Sequence, residues 1–389
     1  MNFTFHSPKP SKENQFVAKG YDNSPFRPLP APTGAEPFRL DITKVINQLP
    51  SNDKMVFHVV GDTGGIKIPT DQQLVGNKME EQFNAGKKPE EQPLFFYHLG
   101  DVVYYYGEES EYNNQFFEPY IHYPAPIFAI PGNHDGDIDP TNQNPPASLE
   151  AFVKVFCDTE TRHLPIAGDS SRTTMIQPNV YWTLVTPLAN FIGLYSNVTM
   201  HGTIKEPQIS WFINELKNAE KERKQSGKAI IVSLHHPVYS IDKNHGASGD
   251  MLQFLDDSFA TTGVYPDIVL TGHVHNYQRF TRKLENGNDL PYIVAGAGGY
   301  WHLHQVETKA DPVYVPNNSF FPGVILEEYS DDRHGFLRMT IEKTSTTRIL
   351  TGEYFTVPRP QESWSAPAQL YDYFTIDLDT HKVSNIKSN

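Results

Sequence analysis

Five short apolar runs, each followed at once by a polar cluster, constrain the fold of this chain more than any other sequence feature. The runs are MVFHVV, PLFFYHL, PIFAI, KAIIVSL and PDIVLT, and all of them are rich in β-branched or aromatic residues. Continuous apolar runs of this length are typical of strands that are buried on both faces of a sheet. The chain is therefore predicted to fold around buried β-sheets.

The polar clusters that follow these runs carry side chains that bind metal ions. Together they supply two carboxylates, an amide and several imidazoles: Asp62, Asp101, Asn133, His134, His235, His236, His273 and His275. In open α/β sheets, ligands bind outside the carboxyl ends of the strands, so five strand ends could bring these groups to one place. Each cluster alone has an ordinary explanation, because Gly-Asp is common in turns and a lone buried histidine is usually a hydrogen-bonded core residue.

Glycines precede four of these side chains, namely Asp62, Asp101, Asn133 and His273. A glycine permits a sharp turn out of a strand and a close approach of the backbone to an ion. In the segment HVH the two imidazoles are two residues apart, so in an extended chain they point the same way and could serve two adjacent ions. All five clusters in order, each behind a predicted strand, indicate one metal site.

The ordered set GDxG, GDxxY, GNH[DE], VxxH and GHxH resembles the calcineurin-like metallophosphoesterases. The tyrosine of GDxxY points to their purple acid phosphatase branch, and the GFLRMTI segment near the end of the chain is also similar to that branch. The resemblance covers about residues 54–304. It implies an α/β fold in which two β-sheets pack as a sandwich with flanking helices.

The rest of the sequence agrees with a single domain of this kind. Residues 1–37 are rich in proline, serine and lysine, which is typical of an extended arm. No stretch after residue 54 has the composition of a linker, so we predict an N-terminal arm over residues 1–50 and a catalytic domain over residues 51–389. The polar insert between residues 66 and 92 receives no function from its sequence.

Helical and strand patterns can also be read outside the five runs. Ile209, Phe212, Ile213 and Leu216 recur at helical spacing and predict one apolar helix face, with the helix ending at Gly227. The stretch YWTLVTPLANFIGLYS predicts two strands, and the C-terminal part of the chain has a β pattern that could complete a sheet.

The resemblance implies a two-metal centre, and it assigns one ion to oxygen-rich ligands. This ion, expected to be Fe3+, would be held by Asp62, Asp101, Tyr104 and His275. Tyr104 is the first of three consecutive tyrosines and would bind as a phenolate, since a strongly charged ion is needed to deprotonate a phenol of pKa about 10 at neutral pH. The alternative is that all three tyrosines pack over an ordinary pair of divalent ions.

The second ion implied by the resemblance is divalent: Zn2+, Mn2+ or Fe2+. Asp101 would bridge to it, and Asn133, His235 and His273 would complete its ligands. Imidazole nitrogens and an amide oxygen suit such an ion, whereas hard oxygen donors suit the trivalent one.

Three histidines are candidates for contact with the substrate. His134 matches the phosphate-contacting histidine of the family and would protonate the leaving alkoxide, so it is predicted to be catalytic together with the bridging Asp101. His236, beside the VxxH motif, is predicted to pack or to reach the substrate, and His245 corresponds to a similar histidine of plant members. The Gly-rich loop GAGGYWHLH is expected to border the mouth of the site.

The function implied is hydrolysis of phosphoesters by a binuclear metal centre, most simply by an acid phosphatase-type phosphomonoesterase that uses metal-bound hydroxide. Two ions about 3.5–4 Å apart can clamp phosphoryl oxygens and activate water. A phosphodiesterase acting on nucleotides or lipid head groups is an alternative, because the pocket walls decide between the two. A non-catalytic scaffold with this fold would normally have lost some of the metal-binding residues, but in this sequence every position of the motifs carries a residue that can bind metal. A redox role for the iron is neither supported nor excluded.

Composition limits the partners that we expect. The chain has 46 acidic and 32 basic residues, a formal charge of −14, which disfavours binding to nucleic acid or to anionic membranes. A phosphorylated small molecule or peptide remains a suitable substrate, because bound metal ions can override the electrostatic field of the whole protein.

The single cysteine, Cys157, rules out a disulfide within the chain and leaves the oligomeric state open. Without an export signal in the sequence as given we expect a cytoplasmic protein, although a trimmed leader would leave the same sequence.

Overall fold

The computed structural model of the protein describes residues 24–83, 86–307 and 321–385. Its α-helices are α1 Pro69–Glu80, α2 Asn133–Gly136, α3 Glu150–Phe156, α4 Gln208–Ser226 and α5 Gly249–Thr262. Its strands are β1 Arg39–Asp41, β2 Lys54–Val60, β3 Pro93–His98, β4 Ile127–Ala129, β5 Trp182–Val185, β6 Ala189–Gly193, β7 Ala229–Ser233, β8 Ile268–Thr271, β9 Tyr277–Lys283, β10 Asp289–Ala295, β11 Val324–Ser330, β12 Gly335–Lys343, β13 Arg348–Thr356, β14 Gln369–Asp377 and β15 Lys382–Asn385.

The strands form two mixed sheets that pack against each other. One sheet has eight strands in the order β1-β5-β6-β7-β8-β10-β9-β11, and the other has seven in the order β15-β14-β13-β12-β2-β3-β4. Phe57 and Phe95 of the second sheet contact Phe191 of the first, with ring centroids 5.0 and 5.5 Å apart. The Tyr97 and Ser233 hydroxyls are hydrogen-bonded across the same interface at 2.9 Å. The predicted sandwich of two sheets with flanking helices is confirmed.

The five apolar runs of the sequence all form strands, and the strands are divided between the two sheets. β2, β3 and β4 are parallel neighbours in the seven-stranded sheet, whereas β7 and β8 are parallel neighbours in the eight-stranded sheet. Parallel neighbours end at the same edge of a sheet, so each sheet presents its polar clusters together.

The outer helices follow the sequence pattern. The predicted apolar face of α4 is buried at Ile209, Phe212, Ile213 and Leu216, and the helix is capped by Gly227 in the left-handed conformation. The polar insert contains α1, which buries Leu74, Val75 and Met79. This helix was not predicted from the sequence, because the apolar residues of the insert are few and widely spaced among polar ones. In the parts of the chain that the structure describes, no helix combines the length and apolar composition of a membrane span.

Part of the predicted N-terminal arm belongs to a sheet. β1 pairs in parallel with β5, and Phe38, Leu40 and Ile42 are buried in the core. Residues 1–23 of the arm lie outside the described residues. The division of the chain at residue 50 stays a prediction.

A buried histidine in β2 makes the stability of this fold depend on pH. The ring of His58 is fully buried, and its nitrogens are hydrogen-bonded to Tyr123 Oη at 2.9 Å and to Gln82 Oε1 at 3.1 Å. Burial lowers the pKa of His58 to about 3. Below pH about 6.5 the unfolded chain therefore takes up a proton at His58, whereas the native state keeps this histidine neutral. The contribution of the buried His58 to stability is complete above the unfolded pKa of about 6.5 and is lost progressively as the pH falls below it.

We predict that the wild type loses more stability than the variant His58→Gln when the pH falls from 7 to 5. The difference should reach about 2 kcal/mol, because one pKa unit corresponds to about 1.4 kcal/mol. Urea unfolding of both proteins at pH 7, 6 and 5 measures it. A gap between the two unfolding free energies that stays constant over this range contradicts the prediction.

Candidate metal centre

The loops that follow the five strands converge at one end of the sandwich, and three of their polar residues have strained backbones. Asp62, Asp101 and His273 have φ angles of 58°, 54° and 68°, in the left-handed region that residues other than glycine seldom adopt. Strain of this kind costs on the order of 1–3 kcal/mol per residue and is concentrated at functional sites. Here it turns each side chain back towards a common centre.

Glycines allow the loops to approach each other as closely as the sequence predicts. A Cβ atom on Gly132 would lie 2.1 Å from Asp101 Oδ1, and one on Gly272 would lie 2.6 Å from Asp62 Oδ2. Neither position can hold a larger residue without displacing a carboxylate of the centre.

The first predicted group of ligands lies together. Tyr104 Oη is 3.4 Å from Asp62 Oδ1 and 3.3 Å from His275 Nε2, and His275 Nε2 is 3.5 Å from the same Asp62 oxygen. Donor atoms that share an ion at bond lengths of about 2.0–2.2 Å lie at such separations. His275 Nδ1 donates to the carbonyl of His302 at 3.1 Å, which leaves Nε2 with its lone pair directed into the centre.

The second predicted group lies beside the first. His235 Nε2 is 3.3 Å from Asp101 Oδ2, and His273 Nδ1 is 2.9 Å from Asn133 Oδ1. Donor atoms of Asp101, His235 and His273 all lie within 4.8 Å of one another. His235 Nδ1 donates to the carbonyl of Leu99 at 2.8 Å, so its Nε2 is also left to accept.

The two carboxylates of the centre are fully buried and repel each other. Burial and the charge of Asp101 raise the pKa of Asp62 well above its usual value. Burial would also raise the pKa of Asp101, but the imidazoles of His235 and His134 hold it below its usual value. A cation between the carboxylates would relieve this repulsion and compensate for their burial.

Two of the three ligand imidazoles, those of His273 and His275, are in the form that binds metals. Burial and neighbouring imidazoles lower the pKa of His273 well below its usual value, and burial lowers that of His275 to about 3. A neutral imidazole keeps the lone pair that a metal requires. Burial would also lower the pKa of His235, but the charges of Asp101 and Asp62 raise it to about 9, so His235 must release a proton when it binds an ion. Among the residues that the structure describes, the buried Nε2 atoms of His235 and His273 have no hydrogen-bond partner. Buried polar atoms without a partner are costly, so this donor set fits bound cations.

The three consecutive tyrosines have different environments. Tyr104 is buried at the centre, Tyr105 is 38% exposed, and Tyr106 is half-buried. Burial and the charges of Asp101 and Asp62 raise the pKa of Tyr104 well above its usual value. The phenol of Tyr104 can therefore act as a phenolate ligand only beside a highly charged cation.

Two supporting residues hold the ligand loops in place. Gln115 accepts from the Tyr104 amide and donates to the Tyr104 carbonyl, both at 2.9 Å. Asp135 accepts from the amides of Val102, Val103 and Gly132 at 2.8–3.1 Å, and so ties the Gly-Asp loop after β3 to the loop after β4. Asp135 could have been found from its place in the GNH[DE] motif, whereas no local pattern singles out Gln115.

The three histidines predicted to contact the substrate line one cleft above the ligands. The cleft has a volume of about 790 Å³ and opens to solvent. Its walls are formed by Tyr105, Tyr106, Asn133, His134, Asp137, Met200, His236, His245 and His273. His134 Nδ1 donates to the Tyr105 carbonyl at 2.9 Å, and His236 Nδ1 is 2.7 Å from Ser196 Oγ. The ring of His245 packs against that of His273, with centroids 4.3 Å apart.

The Gly-rich loop, predicted to border the mouth of the site, borders the ligands instead, and none of its residues is among the described residues that line the cleft. The Tyr300 ring lies 4.4 Å from that of Tyr104 and 4.3 Å from that of His275. His304 stacks on His275 at 4.2 Å and is 3.4 Å from the Asp242 carboxylate. These residues enclose the centre beside Tyr104 and His275.

Comparison with known proteins gives one family and several relatives. The family model of calcineurin-like phosphoesterases matches residues 55–277, which is more than half of the chain. Purple acid phosphatase 18 of Arabidopsis thaliana is 36% identical over 97 residues, or 24% of this chain and 21% of the relative. The Fe(3+)-Zn(2+) purple acid phosphatase 12 of the same plant is 26% identical over 238 residues, or 56% of this chain and 46% of the relative. The chain thus spans about a fifth of the first relative and less than half of the second.

Two solved structures share the fold. PhoD is similar with a TM-score of 0.52 and 14% identity, covering 93% of this chain and 74% of that chain. GAP50, the anchor in the inner membrane complex of Plasmodium, is similar with a TM-score of 0.51 and 17% identity, covering 82% of this chain and 90% of that chain. At such identities the likeness concerns the fold alone.

Replacing Asp135 tests whether the support of the loops determines metal affinity. The variant Asp135→Asn puts an NH2 group in place of one of two oxygens that accept backbone N–H groups. We expect zinc to bind 10- to 100-fold more weakly to the metal-free variant than to the metal-free wild type. Calorimetric titration with Zn2+ measures the affinity, and Asp139→Asn, at a half-buried position three residues after α2, is the control. An unchanged affinity in Asp135→Asn contradicts the role given to Asp135.

Proposed function

Because the chain belongs to the calcineurin-like phosphoesterase family, we propose that it hydrolyses phosphate monoesters at a centre of two metal ions in the manner of an acid phosphatase. The observation that carries the proposal is the meeting of donor atoms from five separate loops in one buried cluster below an open cleft. The similarity to purple acid phosphatases supports a monoesterase.

The donor set favours two different ions. Asp62, Tyr104 and His275 would hold Fe3+, and Asn133, His235 and His273 would hold Zn2+, Mn2+ or Fe2+, with Asp101 between them. The printed name of one relative, an Fe(3+)-Zn(2+) phosphatase, agrees with such a pair. When bound, the two ions would neutralise phosphoryl oxygens and activate a water molecule for attack.

The protein's own groups would position the phosphate and handle the proton of the leaving group. His134 Nδ1 is held by the Tyr105 carbonyl, so its Nε2 is the nitrogen left to contact the ester. From there His134 can donate a proton to the departing alkoxide as a general acid. His236 and His245, on the walls of the same cleft, would contact the phosphate or its substituent.

Loss of the bridging carboxylate should abolish hydrolysis. Asp101 is proposed to contact both ions, so Asp101→Asn should lower kcat/KM by roughly 10³-fold or more. The assay uses p-nitrophenyl phosphate and bis(p-nitrophenyl) phosphate, and a higher wild-type kcat/KM for the diester would reassign the protein as a phosphodiesterase. Asp53→Asn, at the opposite end of β2, is the control. A metal-loaded wild type that hydrolyses neither ester would favour a non-catalytic role.

The colour of the protein tests the iron assignment. A tyrosine phenolate bound to Fe3+ gives a purple charge-transfer absorption, so Tyr104→Phe should be colourless while the control Tyr105→Phe keeps the colour of the wild type. Visible spectra and elemental analysis of the three purified proteins measure this. An active, colourless wild type that contains only divalent metal would show that Tyr104 packs over an ordinary divalent pair.

A further inference from the structure

The segment that precedes β1 contacts one residue of the cleft wall, Asp137, and is fixed there by its backbone. The Arg27 amide donates to Asn197 Oδ1 at 2.8 Å, and Asn197 Nδ2 donates to the Arg27 carbonyl at 2.9 Å. Asn197 is itself buried. Lys205 Nζ lies 4.1 Å above the ring of Phe26. These contacts place the side chain of Arg27 independently of what its guanidinium binds.

The guanidinium of Arg27 contacts a carboxylate that faces the cleft. Arg27 Nη2 donates to Asp137 Oδ1 at 3.3 Å, and Ser24 Oγ donates to Asp137 Oδ2 at 2.9 Å. The pair is partly shielded from water, with side-chain exposures of 23% for Arg27 and 14% for Asp137. An ion pair with this exposure is screened less than one on the open surface.

The charge of Asp137 lies close to the predicted metal ligand Asn133 and faces the cleft. It directly follows α2, one helical turn after Asn133, and its amide donates to the Asn133 carbonyl at 2.9 Å. Among the described residues that line the cleft, Asp137 is the only carboxylate, and none is a lysine or an arginine. An unpaired negative charge at this place would repel an incoming phosphate ester, which is itself an anion.

We propose that Arg27 is a positioning residue for substrate binding, which neutralises Asp137 so that the cleft accepts phosphate. This inference rests on the proposed function. It gives the N-terminal segment a role in the site: Ser24 and Arg27 bind the carboxylate of the wall that an anionic substrate approaches. Arg27 acts through Asp137 and on binding, so its removal should change KM much more than kcat.

The test combines two substitutions in the full chain loaded with Zn2+, assayed with p-nitrophenyl phosphate. Arg27→Ala should raise KM about 5- to 10-fold while kcat stays within twofold, and the increase should shrink at high salt. Arg27→Lys should keep most of the wild-type affinity. The double variant Arg27→Ala/Asp137→Asn should return KM to within twofold of the wild type, because removal of both charges leaves no repulsion. A merely structural role of Arg27 would not produce this rescue.

The control is a second arginine–aspartate pair, Arg348 with Asp379, in which the arginine has nearly the same exposure as Arg27 (24%) and the aspartate is more exposed than Asp137 (43%). Arg348 begins β13, at the end of the seven-stranded sheet opposite the ligand loops. Arg348→Ala should leave KM unchanged. An unchanged KM in Arg27→Ala, or a raised KM that the double variant does not restore, overturns the proposal for Arg27 and leaves the proposed function intact.

If the wild type hydrolyses no ester, calorimetric measurement of inorganic phosphate binding distinguishes failure of the proposed function from failure of the proposal for Arg27. If the metal-loaded wild type hydrolyses no ester but binds phosphate, the proposed function fails. The proposal for Arg27 is then supported by 5- to 10-fold weaker phosphate binding in Arg27→Ala that the double variant restores, and is overturned by equal binding. If the wild type binds no phosphate, both proposals are overturned.

Discussion

The repulsion between two buried carboxylates, Asp62 and Asp101, is the constraint on which the rest of the site depends. Both side chains are nearly inaccessible to water, and each is held by an amide of a distant loop: the amide of His273 donates to Asp62 at 2.8 Å and that of His134 to Asp101 at 2.9 Å. Two such charges are tolerated only with compensating positive charge nearby. The imidazole nitrogens that surround them, and the buried phenol of Tyr104, are arranged as ligands for cations that supply it.

The sandwich of sheets provides the rigidity that this arrangement requires. Aromatic rings between the sheets, among them Phe57, Phe95 and Phe191, fix the distance between the strands that carry the loops. Because parallel strands end at a common edge, the packing of the two sheets brings three loops of one sheet opposite two loops of the other. Packing energy distributed over this interface holds the left-handed backbone at Asp62, Asp101 and His273.

The charge of the cleft differs from that of the whole protein. The chain carries a formal charge of −14, yet the described residues of the cleft wall include one carboxylate, and that carboxylate is bound by Arg27 and Ser24. A concave site close to bound cations is governed by its local charges, since distant surface charges are screened within about 10 Å at 0.1 M salt. An acidic protein can therefore present a site for anions.

The sequence by itself determined the five strands and the polar clusters behind them, because both are local: a buried strand shows as an apolar run, and an ion-binding turn as glycine beside a carboxylate or imidazole. The assignment of Tyr104 and of each histidine to one ion came from the resemblance to a family. Tertiary structure alone decided the division of the five strands between two sheets, the joining of β1 to β5, and the supports given by Gln115 to Tyr104 and by Asn197 to Arg27. The residues that make these contacts are far apart in the chain, and the residues on either side of them show no periodic pattern of apolar side chains that would predict the contact. Their partners are chosen by the packing of the whole chain, which no short segment encodes.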